Sequence, residues 1–215
     1  MSQASKAALL IFCMFLTLAL PAPAAAAGPA GALEGRAPLR LSARIPAGED
    51  GESLEEPAGE PAPVEEKQPP EGALSAPDIL SGTTVIAHGM GAVGNLNTLN
   101  CLEGFLTQYE AGVRVFEADL RLTRDCQVVL RHDWWHADWQ EGISWARIPT
   151  REKFVSSPIL GRYTPLSFRD LLLLMEEYPD ICIITDTKFT DSDVFTIQFD
   201  AMLADARELG LTYLF

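Results

Sequence analysis

From Thr83 onward the apolar positions alternate between short β-branched runs and stretches with helical spacing. Thr83-Thr84-Val85-Ile86-Ala87 reads as a buried strand that ends at His88 and a glycine turn, Gly89-Met90-Gly91. Cys101 to Gly112 carries Leu102, Phe105, Leu106 and Tyr109 at helical spacing, with Gly112 where a helix end favours positive φ. Val113 to Leu122 predicts the second strand, and Gln127 to Arg131, after a turn at 123–126, its extension or hairpin partner. Leu166 to Tyr178 shows a wide apolar stripe, so a helix is expected there before a third core strand at Ile181-Cys182-Ile183-Ile184-Thr185. Val194 to Leu209 is a helix stopped by Gly210, and Leu211 to Phe215 opens a fourth strand. Nearly continuous apolar strands alternating with helices predict the α/β class, a parallel sheet covered by helices.

The N-terminal third follows a different pattern. Lys6 precedes an apolar run from Ala7 to Leu20, followed by Pro21 and the small residues Ala24 to Gly28, which predicts a signal peptide over residues 1–27. Such a chain is exported, to be secreted or kept in the cell envelope, with an uncleaved signal anchor as the alternative. Cys13 lies mid-run, where a lipid-accepting cysteine would not. Residues 28–78 are rich in Pro, Ala and Glu, and 11 of the 15 prolines fall between Pro21 and Pro77. A segment of that composition buries too little apolar surface to offset its ordering entropy, so a disordered linker is expected. The folded domain is then 79–215. A formal net charge of -14 excludes nucleic-acid binding by bulk charge.

Cys101, Cys126 and Cys182 follow the signal; an odd count allows at most one bridge, and no spacing suggests zinc. The chemistry gathers at strand ends. Glu117 and Asp119 are two apart on a strand and share a face, and two close carboxylates repel unless a cation or a shared proton lies between them. Oxygen ligands of this kind suit a hard divalent cation, Ca2+ or Mg2+. The apolar neighbours Val113, Val115, Phe116 and Leu120 place the pair on an interior strand. His88 ends the first strand, His132-Asp133 the extension of the second, and Asp186-Thr187-Lys188 the third. In parallel α/β folds the carboxyl ends of strands surround one site.

These residues carry a resemblance. Ile86-Ala87-His88-Gly89, Asn100-Cys101-Leu102-Glu103-Gly104-Phe105, Phe116-Glu117-Ala118-Asp119-Leu120, Thr123-Arg124-Asp125 and Val128-Val129-Leu130-Arg131-His132-Asp133 together resemble the glycerophosphodiester phosphodiesterase family. The resemblance covers about Thr83 to Phe215 and implies a (β/α)8 TIM-type barrel of phospholipase-C-like phosphodiesterases. The 137 residues from Ile79 fall short of the ~250 of a complete barrel, so its N-terminal half is expected here. By the same resemblance His88 and His132 are the acid/base pair, and Glu117, Asp119 and Asp186 the metal ligands. Lys188 meets substrate phosphate, while Asp133 orients His132 or its loop and Asn100 supports the site.

Two departures bear on substrate position. The first family motif normally reads His-Arg-Gly; this chain has His88-Gly89-Met90-Gly91 and offers backbone N–H groups instead. The second usually contains Glu-Asn-Thr, and Leu99-Asn100-Cys101 retains its Asn alone; the third acid, usually Glu, is Asp186, one methylene shorter. The implied reaction is metal-dependent hydrolysis of a phosphodiester, in glycerophosphodiesters or related lipid-derived esters, in which a glycerol hydroxyl attacks first and a cyclic phosphate is then hydrolysed. Trp134, Trp135, Trp139 and Trp145 crowd the loop after His132 and either meet a lipid surface or pack beneath the loop; His136 has no motif support. A noncatalytic barrel fragment with a binding or structural role in the envelope is the rival reading. A sugar-processing enzyme fits less well, since its opposed carboxyls stand ~5 to ~9.5 Å apart across a ring.

Overall fold

The computed structural model describes residues 64–135, 139–144, 146–189 and 191–215. The expected signal peptide, the linker up to residue 63, His136 and Trp145 lie outside the described residues.

Ser75 caps the first helix, α1 (Ala76–Ser81): its hydroxyl accepts from the Asp78 N–H at 3.4 Å while its own N–H donates to the Asp78 carboxylate at 3.3 Å. The linker boundary expected at residue 78 therefore falls inside a helix. Ile79 gives the reason, because it packs against Val115 and Cys182 and so rewards ordering the turn. Further upstream, Lys67 donates its N–H to the Gly210 carbonyl at 2.8 Å and its ammonium to Glu176 at 2.6 Å.

The first strand, β1 (Ile86–Ala87), is shorter than the run from Thr83 predicts. Thr83 instead closes α1, its N–H and hydroxyl bonding to the carbonyls of Leu80 and Ile79 at 3.1 and 2.8 Å. Then come α2 (Leu102–Glu110), β2 (Val115–Leu122) and β3 (Val128–Leu130). After these follow α3 (Arg151–Val155), α4 (Phe168–Glu177), β4 (Cys182–Thr187) and α5 (Ser192–Leu209). The second strand is central: β1 and β4 both pair with it in parallel, and β3 extends its far end as an antiparallel hairpin arm. Three parallel strands bring their carboxyl ends to one edge of the sheet.

The two faces of β2 diverge in chemistry. Phe116 is fully buried and meets Phe105 of α2 at 4.8 Å between ring centroids, so the even-numbered positions face the helices. The odd positions face the other way. There Val115, Cys182 and partly buried Ile184 are closed off by α1 at the amino-terminal end, while Glu117, Asp119 and Arg121 continue toward the carboxyl end.

The fourth strand expected at Leu211 to Phe215 is absent. Gly210 takes φ 67° to stop α5, and the N–H groups of Leu214 and Phe215 bond back to Leu211 and Thr212 in a 3-10 turn, Thr212–Leu214. Among the described residues no strand lies alongside to offer ladder bonds, and the Phe215 ring packs on Phe168 and Phe199 instead. Cys101, Cys126 and Cys182 are free thiols, and burial pushes Cys101 up to about 11.

Candidate functional site

The parallel register sets Asp119 directly opposite Asp186, with Glu117 two residues earlier on β2. Carboxylate oxygens from these three residues lie within 4.8 Å of one another. Asp119 is fully buried; Glu117 and Asp186 are partly so. Lys188, just past β4, reaches back to Asp119 Oδ1 at 2.6 Å and also pairs with Asp186. Burial alone lowers the pKa of its ammonium, yet the bonds and charges of the two aspartates more than offset that and raise it.

One ammonium does not satisfy three carboxylates. Burial first, and the charge of Asp119 second, push Glu117 up to about 7, against the opposing pull of the Gly89 N–H that it accepts at 2.6 Å. Glu117 Oε1 is buried without a hydrogen bond, and Asp119 Oδ1 is met by the Lys188 ammonium. A buried orphan oxygen in a cluster of three acids served by one ammonium fits a hard divalent cation.

Asn100 fixes the buried acid from the side, donating Nδ2–H to Asp119 Oδ2 at 2.8 Å and accepting the Asp119 N–H at 3.0 Å. His88 ends β1 with its Nε2 3.8 Å from Glu117 Oε2 and two-thirds of its side chain exposed. His132 stands on a different support. The Arg131 N–H donates to the Asp119 carbonyl at 2.9 Å, which anchors the backbone just before His132, and His132 Nδ1 lies 2.8 Å from Asp133 Oδ2. Asp133 is held in turn by the Trp135 N–H at 2.7 Å. Buried Arg131 bonds Gln140 at 2.6 Å and the Asp133 carbonyl, and Gln140 donates to the Ser157 carbonyl at 2.6 Å. The loop bearing His132 is thus built on a polar scaffold that the spacing of motifs did not reveal.

The glycine turn differs from expectation. The Gly89 N–H is engaged by Glu117 and the Gly91 N–H by the His88 carbonyl at 3.0 Å, so neither faces outward for a phosphate. Gly89 also has φ 55°, and a Cβ there would stand 2.5 Å from Thr98 Cα. Position 89 has no room for a side chain. The tryptophans separate: Trp134 packs with Val129, Ile143 and Phe154, Trp139 against the cluster of Leu99, Cys101, Ile159 and Tyr163, and Trp135 is 71% exposed.

Arg121 went unnoticed in the sequence. It continues the Glu117-Asp119 alternation, donates Nε–H to the His132 carbonyl at 3.0 Å, and holds its guanidinium 5.3 Å from the Phe189 ring centroid. Burial lowers its pKa while Asp133, Asp119 and Asp186 pull the other way, so all three carboxylates act on it.

Among solved structures, the chain is similar to an Oleispira antarctica phosphodiesterase in complex with the product sn-glycerol-3-phosphate, at 16% identity and a TM-score of 0.50. The match takes in 60% of this chain and 54% of that one. The likeness establishes the fold. It agrees with the expected α/β class and with part of a TIM-type barrel. A glycerophosphodiester phosphodiesterase from Parabacteroides distasonis is also similar, with 19% identity, 59% of this chain and 51% of that one covered, and a TM-score of 0.47. The chain spans about half the length of the solved structures it matches. No protein-family model and no curated protein sequence matches it.

Proposed function

We propose that the chain carries the catalytic residues of a metal-dependent phosphodiester hydrolase acting on glycerophosphodiesters or related lipid-derived headgroup esters. One observation carries the reading: the oxygens of Glu117, Asp119 and Asp186 gather within 4.8 Å at the sheet edge where His88 and Lys188 also end. Glu117, Asp119 and Asp186 would hold a Ca2+ or Mg2+ ion. When bound, such an ion polarises a phosphoryl oxygen and lowers the pKa of a nearby hydroxyl.

The chain's own residues divide the proton work. Asp133 takes the Nδ1–H of His132, which leaves Nε2 as the atom that gives or receives a proton. His88, at the carboxyl end of β1, stands beside Glu117. One imidazole removes the proton from an attacking glycerol hydroxyl as the new P–O bond forms, and the other protonates the alkoxide as its P–O bond breaks. The resulting cyclic phosphate is opened by water with the two roles exchanged. Each transfer contributes ~10²- to 10⁴-fold in rate. Exposed Trp135, two residues past Asp133, supports contact with an alcohol or lipid chain. An export signal at residues 1–27 would set this reaction outside the cytoplasm, in the envelope or beyond.

The test is hydrolysis of glycerophosphocholine and glycerophosphoethanolamine by the full chain, with Mg2+, Ca2+ or chelator. The reading expects activity that chelation abolishes and that His88→Ala and His132→Ala each remove. Turnover indifferent to chelator, or intact in His132→Ala, overturns the metal and histidine mechanism, and a wild-type chain with no turnover favours the noncatalytic fragment.

A further inference from the structure

We infer that Arg121 is the residue that grips the phosphate of the substrate, an inference that rests on the phosphodiesterase reading. The argument begins with charge. A divalent cation together with the Lys188 ammonium cancels the carboxylates of Glu117, Asp119 and Asp186 and leaves nothing over for the negative charge of a phosphodiester. The imidazole that serves as the acid gives up its charge in the step, so a lasting cation beside the cage would hold the phosphate, and the structure narrows where it sits.

The His88 turn cannot supply it. Position 89 admits no side chain beside Thr98, and its N–H already serves Glu117. Arg131 is buried and engaged with Gln140 and the Asp133 carbonyl beneath the loop. Arg121 remains. It shares the face of β2 that carries Glu117 and Asp119, one step nearer the carboxyl end, about 7 Å along the strand from Asp119.

Its anchoring leaves the useful atoms open. The Nε–H holds the His132 carbonyl at 3.0 Å, and the Phe189 ring flanks the guanidinium from the β4 side. Among the described residues no hydrogen bond engages its Nη1 or Nη2, and the charges of Asp119, Asp133 and Asp186 act on it without a direct ion pair. A guanidinium pinned at one nitrogen, with its outer N–H groups free, presents the planar fork that matches phosphate oxygens. It bridges the acid cage and the backbone of His132, the interval a phosphodiester must occupy to meet both.

Arg121→Gln and Arg121→Lys in the full chain separate this role from a structural one, because glutamine can keep the bond to the His132 carbonyl and lysine keeps the charge. Steady-state hydrolysis of glycerophosphocholine, inhibition by sn-glycerol 3-phosphate and calorimetric binding of Ca2+ are measured for each. Arg121→Gln should raise KM and the inhibition constant by about 10- to 100-fold, the worth of hydrogen bonds to a charged group, and leave Ca2+ affinity unchanged. Arg121→Lys should fall between, since its point charge lacks the fork. Unchanged KM and inhibition constant in Arg121→Gln, or a loss confined to kcat, would overturn the inference while the phosphodiesterase reading stands. A wild-type chain that neither turns over glycerophosphocholine nor binds sn-glycerol 3-phosphate would overturn both.

Discussion

Asn100 and Asp119 hold each other by two reciprocal hydrogen bonds, side chain to side chain at 2.8 Å and backbone N–H to amide oxygen at 3.0 Å. Both residues are fully buried, and Asn100 adopts φ 51°, a conformation that asparagine tolerates better than most residues. The pair converts a flexible acid into one of fixed direction. Asn100→Ala strands the Asp119 N–H and should cost about 1–3 kcal/mol of stability in urea unfolding. Cation affinity should fall with it, by calorimetry, because the Asp119 carboxylate loses its orienting partner. An Asn100→Ala chain that binds Ca2+ as well as wild type would show that the acid needs no such support.

Protonation of Glu117 sets a pH dependence with a definite sign. Its pKa, raised in the folded chain from 4.5 to about 7 by burial and by Asp119, makes the folded state bind a proton that the unfolded state has released. That stabilisation is complete below 4.5 and is lost as pH rises through about 7. A divalent cation takes over the proton's task, so Ca2+ or Mg2+ should raise the Tm more at pH 8 than at pH 5. Glu117→Gln, neutral throughout, should flatten the cation-free curve. Equal cation stabilisation at both pH values would contradict the arrangement.

Gly89 makes a prediction about the altered first motif. Placing there the arginine of the motif that the turn resembles, as Gly89→Arg, should lower stability, because φ 55° is unfavourable to a side chain and the new Cβ would meet the Thr98 backbone at 2.5 Å. Gly94→Ala is the control: it shares a positive φ of 58° but meets nothing within 4 Å, so it should pay the conformational term alone, about 1–2 kcal/mol. Thermal unfolding of the two variants measures the difference. If Gly89→Arg melts no lower than Gly94→Ala, the turn around His88 is not as tightly packed against Thr98 as the geometry requires.

The acids were legible in the sequence because strand alternation is a short-range rule: Glu117 and Asp119 must share a face wherever β2 goes. Asp186 and Lys188 followed from the same rule on β4, and the parallel register then set Asp186 against Asp119. What escaped depends on contacts distant in sequence. Helix α1 is ordered by Val115 and Cys182, and Thr83 closes that helix rather than extending β1. Leu211 to Phe215 has the composition of a strand but, among the described residues, no neighbour to pair with. Arg121 looked like one more polar residue on an alternating strand; its meaning comes from His132 and Phe189, which the hairpin and β4 bring to it.

The Asp133 carboxylate makes the last prediction stereochemical. Its Oδ1 accepts the Trp135 N–H at 2.7 Å and its Oδ2 faces His132 Nδ1 at 2.8 Å. In Asp133→Asn the amide oxygen must stay opposite the Trp135 N–H, which turns the amide NH2 toward the imidazole. His132 then has to accept at Nδ1 and carries its proton on Nε2, the reverse of the tautomer that a base at Nε2 requires. The fold and the cation cage are left alone, so Tm and Ca2+ affinity should change little while kcat falls by at least ~10²-fold, a large part of what general base catalysis contributes. Asp133→Ala frees the ring without imposing the wrong tautomer and should be less damaging. Nitrogen-15 shifts of His132 report the tautomer directly. An Asp133→Asn chain with wild-type turnover, or a His132 still protonated at Nδ1, would remove Asp133 from the proton path.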